Sequence, residues 1–341
     1  MNYRMLGNSG LEVSEICFGV MTFTGENGWT HVGKLSQHDA DELTSVALDN
    51  GVNFFDTADN YSNGASEEML GRALGNRRKD AIIASKCGFR TSEGPNGTGL
   101  SKKRIIEACN ASLKRLNTDY IDLYQVHSFD FMVPLEETLS AFEFLIREGK
   151  VRYAGCSNFM AWQLVKSLML QEKKGYEKFI TIQAYYSLVG RDLEWEILPA
   201  CIEEKIGILV WGPLHGGILT GKYRHGKEWP KDTRIKTPES HLPYDVRKGE
   251  KILQKLDKIA CRRNVSISQV SLNYLLRKPG ISSVIIGARN KEQLLDNIKA
   301  GNWELSGEEM RVLNEVSAPG KIYPHWYFEI FRKDRNYTST L

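Results

Sequence analysis

Several signatures are missing from the 341-residue sequence, and each absence removes a class of protein. No apolar run approaches the ~20 residues that a membrane-spanning helix needs. The opening, MNYRMLGNSGLEVSEICFGV, lacks the basic segment and long apolar stretch of a secretory leader, so the expected location is the cytoplasm. Six cysteines (Cys17, Cys87, Cys109, Cys156, Cys201, Cys261) are scattered with no CxxC pair. Most lie in or beside apolar stretches and are expected as buried thiols in a reducing compartment. The seven histidines form no HxH or HExxH spacing, so no metal site is expected. Charge of one sign is missing too, since 45 Lys and Arg against 42 Asp and Glu leave only +3. The basic residues are spread along the chain, which argues against nucleic acid or a membrane surface as partner. Any anion recognised here is local, such as a single phosphate.

What the sequence does have is alternation. Strand-like runs at Glu15–Phe18, Val52–Phe55, Ala81–Ser85, Ile121–Val126, Val151–Cys156, Ile180–Gln183, Ile206–Val210 and Ser283–Ile286 alternate with amphipathic segments such as Ser36–Asn50, Ser101–Leu116 and Leu135–Glu148. Ser101 and Ser268 read as helix N-caps, Gly51 and Gly149 as C-terminal stops. Repeated strand–helix units predict an α/β fold, a (β/α)8 TIM barrel. The rival, an open doubly wound sheet, is disfavoured because no GxGxxG follows the first strand. One domain is expected over residues 1–318, opened by a β-hairpin turning on Asn8-Ser9-Gly10 that would plug the barrel's bottom. A long loop, Gly212–Val246, follows strand seven and leads into an extra helix, Arg247–Arg263. Residues 319–341 form an aromatic tail (Tyr323, Trp326, Tyr327, Phe328, Phe331) expected over the active site.

Catalytic groups of such barrels sit at the carboxyl ends of the strands. Here VNFF runs into Asp56, AIIAS into Lys86 and LYQV into His127, while Tyr61 lies in the following loop DTADNYSNG. Free tyrosine, with a pKa near ~10, is a poor acid at neutral pH; a neighbouring ammonium favours the phenolate. Asp56 would keep Lys86 charged and oriented, Tyr61 would protonate a carbonyl oxygen, and His127 would polarise that oxygen by a hydrogen bond. The set holds no strong nucleophile and does not look hydrolytic.

At these residues the sequence resembles the aldo-keto reductase superfamily. LGNSGLEVSEICFG, FFDTADNYSNGASEEMLGRAL, IIASKCG and YIDLYQVHSFD match its successive blocks. QAYYSLVGRDLEWEILP and ILVWGPLHGGILTGKY are similar to the branch holding bacterial general reductases and potassium-channel β-subunits. The resemblance implies NADPH bound across the top of the barrel and a tetrad of Asp56, Tyr61, Lys86 and His127. It implies Ser157, Asn158 and Gln183 at the nicotinamide carboxamide, Tyr186 stacked on the ring and Trp211 bordering it. It further implies a pyrophosphate loop containing Gly212, Pro213, Leu214, Gly217 and Lys222. Arg289 would meet the 2′-phosphate, with Gly287 also among the cofactor residues and Gln293, Asp296 and Asn297 around the adenosine. Where the family usually has Ser after the loop's Trp or Tyr, this chain has Gly212. Trp29, Phe89 and Phe129 are expected to wall the substrate pocket, or to serve as packing. The expected activity is NADPH-dependent reduction of aldehydes or ketones. The alternative is a slow, NADP(H)-holding redox sensor that acts on a protein partner, in the manner of channel β-subunits.

Overall fold

The computed structural model describes residues 1–25, 32–223 and 242–334. Strands β1 (Tyr3–Met5) and β2 (Glu12–Ser14) pair antiparallel, Tyr3 opposite Ser14. Eight parallel strands follow: β3 (Ile16–Gly19), β4 (Phe54–Asp56), β5 (Ile82–Cys87), β6 (Ile121–Val126), β7 (Val151–Ser157), β8 (Thr181–Tyr185), β9 (Gly207–Trp211) and β10 (Ile281–Ile286). They close in sequence order, β10 returning to β3, into the expected barrel. Helices α1 (Gln37–Asp49), α2 (Ala65–Leu74), α3 (Lys102–Leu116), α4 (Leu135–Arg147), α5 (Ala161–Lys174) and α6 (Ile197–Glu203) connect the first strands. Beyond β9 come α7 (Val246–Arg263), the expected extra helix, and α8 (Ile267–Leu276). After β10 the chain forms α9 (Lys291–Ile298), α10 (Gly307–Ser317) and α11 (His325–Asp334). Among the described residues, no helix is long and apolar enough to cross a membrane.

Strand alternation explains the barrel's polarity along its axis. Side chains two apart face the same side of a strand. Cys17, Phe54, Ala84, Leu123 and Leu209 therefore fill the amino-terminal end of the interior, where they pack with Leu6 and Val13 of the hairpin. The hairpin thus does plug the bottom. Gly7, at φ +57°, lies so close that a Cβ there would stand 2.1 Å from the Ile180 carbonyl oxygen, so only glycine fits. Two residues further along the same faces, the series continues as Asp56, Lys86, Gln125 and Trp211. One end of the interior is apolar and closed; the other is polar.

Local signals set the helix ends. Ser101 caps α3 by accepting from the Arg104 amide at 3.3 Å, and Gly51 and Gly149 take the left-handed conformation just past α1 and α4. Ser268 is not a cap. Ser266 holds that place, accepting from the Gln269 amide at 3.1 Å with an extended backbone, whereas Ser268 already lies in the first turn of α8. Cys17, Cys87, Cys109, Cys156 and Cys201 are buried free thiols, whereas Cys261 is exposed. The tail is tethered beside the loop between β8 and α6. Trp195 Nε1 donates to the Gly320 carbonyl at 3.1 Å, and Glu196 faces His325 at 3.5 Å.

Candidate active site

Asp56 ends β4, Lys86 lies within β5, and His127 follows β6 directly. All three are buried, and Tyr61 is half-buried in the turn after β4. Lys86 Nζ is the hub. It donates to Asp56 Oδ1 at 2.7 Å, to the Thr57 carbonyl at 2.8 Å and to the Tyr61 hydroxyl at 3.3 Å. The Tyr61 and His127 rings meet edge to face at 5.8 Å, so the structure brings the four expected side chains together.

Backbone strain aims Tyr61. Ser62, Asn63 and Gly64 all take positive φ (47°, 55° and 95°), which reverses the chain directly behind the phenol. A Cβ at Gly64 would meet the Arg115 side chain at 2.6 Å, and Arg115 is itself held by buried Glu67 at 2.7 Å. A second brace joins this turn to the next loop. Arg104 Nη2 donates to Asp59 Oδ2 at 2.9 Å and to Thr91 Oγ1 at 2.8 Å. Burial, reinforced by Glu67, pushes the Asp59 carboxyl up to about 7 against the opposing charge of Arg104.

The electrostatics follow from burial and from Asp56. Desolvation disfavours the Lys86 ammonium, but Asp56 and the Tyr61 hydroxyl outweigh it and hold its pKa above the usual lysine value. Burial, reinforced by the same ammonium, drives the His127 imidazole well below its ordinary pKa. His127 is therefore neutral, and a neutral imidazole still carries one N–H to donate. This is a charged lysine shared by a carboxylate and a phenol, beside an uncharged imidazole.

The expected cofactor residues divide into those at the rim and those spent elsewhere. Ser157 is buried, and its hydroxyl donates to the Gln183 carbonyl at 3.0 Å. Gln183 Nε2 donates to Asp56 Oδ2 at 2.7 Å, tying this amide to the tetrad. Exposed Asn158 donates from Nδ2 to the His127 carbonyl at 3.0 Å and accepts from Trp211 Nε1 at 3.1 Å. Tyr186 does not offer a ring face here. It is fully buried, with its hydroxyl on Glu194. Strand parity gives the reason: Gln183 faces inward, so Tyr185 shares its side and Tyr186 takes the other. The missed residue is Tyr185, whose ring lies 5.1 Å from that of Trp211.

Gly212, at φ +66°, is in contact with this same Tyr185 ring, which lies 3.1 Å from where a Cβ would stand. A serine at that position would meet both steric and backbone strain, which accounts for the glycine. Pro213 is buried and Leu214 packs against the core, so they shape the loop. Gly217 has φ +105° and approaches the Lys222 side chain, whose residue is exposed. Gly287 is exposed, and Arg289 immediately precedes Asn290, the N-cap of α9. The Gln293 side chain accepts from the Arg289 amide at 3.0 Å. Asp296 accepts from Ser266 and Gln269, both at 2.6 Å, and Asn297 donates to the Gly287 carbonyl at 3.5 Å. Those contacts join α9 to α8 and to β10's exit.

Phe89, partly exposed, stands edge-on to His127 at 4.6 Å, whereas Phe129 packs on Phe159 at 5.2 Å. Trp29 lies outside the described residues. A groove of about 540 Å³ opens beside Asn158 and Tyr185, lined by Met160, Trp162 and Trp195. Ala184 also lines it, and Ala184 faces outward from the strand wall, so this groove is not the space above Lys86. Among the described residues, no group of three or more His, Cys, Asp or Glu side chains could hold a metal ion.

Fold and rim together define a (β/α)8 barrel carrying a Tyr/Lys/Asp/His site. The profile described as the aldo/keto reductase family matches residues 15–318, and the chain belongs to that family of oxidoreductases. It is 36% identical to an uncharacterized oxidoreductase of Bacillus subtilis over 96% of this chain and 99% of the relative. It is also 36% identical to a probable voltage-gated potassium channel subunit beta of Arabidopsis thaliana, covering 88% and 91%. Versiconal hemiacetal acetate reductase of Aspergillus parasiticus is 30% identical over 95% of this chain and 99% of that protein.

Proposed function

We propose that the protein reduces an aldehyde or ketone to the alcohol with NADPH, Tyr61 acting as the general acid. The observation that carries this reading is Lys86 Nζ bonded at once to Asp56 Oδ1 and to the Tyr61 hydroxyl. The residues around the rim suit a dinucleotide. Trp211 and Tyr185 form a paired aromatic wall, and the adjoining loop includes left-handed Gly212, Gly216 and Gly217, which allow close backbone approach. Arg289 sits beside the N-terminus of α9, where the helix dipole favours an anion, which supports a 2′-phosphate and hence NADPH over NADH.

Bound NADPH would supply the hydride, two electrons delivered to the carbonyl carbon. Tyr61 gives its proton to the carbonyl oxygen, and the Lys86 ammonium stabilises the phenolate left behind. Asp56 keeps that ammonium charged and fixed. Neutral His127 donates a hydrogen bond to the same oxygen, orienting it and drawing off charge as it develops. Phe89 flanks the approach, residues 319–334 of the tail would lie beside it, the compartment is the cytoplasm, and the substrate is a small carbonyl compound.

A second reading rests on the channel-subunit relatives and on exposed apolar side chains around this rim, Phe131 at 73% and Met132 at 90% exposure. In it the protein holds NADP(H), turns over slowly and reports redox state to a protein partner. The test is NADPH oxidation, followed by absorbance, against a panel of aldehydes and ketones. Turnover that disappears in Tyr61→Phe while NADPH still binds supports the reductase. NADPH binding with negligible turnover on the whole panel favours the second reading.

A further inference from the structure

His215 occupies an unusual place in the loop after β9. Its backbone has φ +48°, and Gly216 and Gly217 follow at +62° and +105°, so three successive residues are left-handed. Only glycine adopts that conformation without penalty, and a histidine persists there because something else holds it. Its ring is buried and bonded at both ends. Nδ1 lies 2.5 Å from the Tyr185 hydroxyl and Nε2 lies 3.1 Å from the Leu242 carbonyl. The ring also packs edge-on to Tyr244 at 5.0 Å and against Tyr185 at 5.8 Å.

Each hydrogen bond in this run has one direction. A carbonyl only accepts, so Nε2 carries the hydrogen. Burial lowers the imidazole's pKa to about 4, against the pull of the Leu242 carbonyl, so the ring is neutral and Nδ1 is an acceptor. The Tyr185 hydroxyl then donates to Nδ1, and Ser187 Oγ, 2.8 Å away, donates to Tyr185. Ser187 Oγ in turn accepts from the Gly190 amide at 3.1 Å. On its other side the Tyr185 ring touches Trp211, which reaches Asn158 and through it the His127 carbonyl. One end of this run of contacts is Leu242, beyond the loop; the other is the backbone carbonyl of His127.

We propose that His215 and Tyr185 form a clasp that fixes the 212–222 loop in the shape it presents to the dinucleotide, making both residues positioning residues for cofactor retention. The proposal rests on the reading of this loop as the cofactor's. It predicts slower cofactor release than an unclasped loop would give, with the proton-transfer chemistry at Tyr61 untouched.

Two variants keep the rings and remove the bonds: Tyr185→Phe and His215→Phe. In cofactor-free protein, amide hydrogen exchange over residues 212–222 is expected to be faster in both variants than in the wild type. With NADPH, release measured by stopped-flow fluorescence is expected to be about five- to tenfold faster, the size of one lost hydrogen bond. Single-turnover hydride transfer at saturating NADPH is expected to be unchanged in His215→Phe, and the double variant is expected to release NADPH no faster than the faster single. Thermal melts of each variant check folding. Exchange equal to wild type in both folded variants overturns the clasp. Faster exchange with unaltered NADPH release overturns its role in retention. Wild-type protein that binds no NADPH overturns the reading of the loop instead, and the exchange contrast still decides the clasp.

Discussion

Gln183 Nε2 donates to Asp56 Oδ2 at 2.7 Å, on the carboxylate oxygen that Lys86 does not use. The amide therefore orients the group that orients the lysine. Gln183→Leu is expected to lower kcat about tenfold, the worth of one hydrogen bond to a charged group, with a smaller change in NADPH affinity. Steady-state kinetics and cofactor titration separate the two effects. A loss confined to cofactor affinity would mean that Gln183 serves the carboxamide instead.

Removing the lysine strands its partner. Lys86→Met leaves the Asp56 carboxylate buried beside Gln183 alone, a defect of about 3–5 kcal/mol by analogy with broken buried pairs. Adding Asp56→Asn removes the stranded charge and is expected to restore most of that stability but no activity. Urea denaturation of the single and double variants checks this. A double variant as unstable as the single would show that the charge is not the cause.

Neutral His127 should leave the pH profile flat where histidines usually titrate. Because burial and Lys86 hold its pKa well below the usual value, kcat/KM is expected to show no imidazole limb between about pH 5 and 8. A limb near pH 6.5 that vanishes in His127→Asn would falsify the neutral assignment.

Gly212→Ser, which restores the residue usual in the family, is expected to lower Tm by a few degrees. The serine would carry φ near +66° and press on the Tyr185 ring. An unchanged melt would show that the loop yields without cost.

Away from the site, Glu309 binds Arg263 through two hydrogen bonds, at 3.0 and 2.6 Å, and closes the capping box of α10 with Ser306. The bonds to Arg263 hold its carboxyl down to about 2, against the opposing effect of burial. A depressed carboxylate stabilises the fold above its unfolded pKa of about 4.3, and that contribution is lost as pH falls through about 2. Glu309→Gln is thus expected to melt a few degrees lower at pH 7, with the gap closing toward pH 2. A gap independent of pH would contradict the linkage.

Those features written locally in the chain were legible in it. Asp56, Lys86 and His127 each break an apolar run at its carboxyl end, and a parallel barrel gathers such ends on one face. The hairpin and the extra helix were marked by turn residues and by amphipathic spacing. Tyr186 is expected at the rim, but strand parity turns it away and buries it, and the inward-facing Gln183 already points to Tyr185, two positions on, as the rim residue. Ser268 reads as the cap, although α8 starts one residue before it and Ser266 closes the first turn. The brace from Arg104 to Asp59 and the contact that forces glycine at 212 could not be read. Each depends on groups far apart in sequence meeting at a distance only the closed barrel sets.

Plugging the barrel with the hairpin has a practical consequence for handling the molecule. The first residues run along the blind end, against Gly51 and the start of β3, while the reacting groups open at the opposite pole. Anything joined ahead of Met1, whether an affinity tag, a fluorescent fusion or a surface tether, leaves from the blind end. Attachment there would orient the protein with its mouth toward the solution.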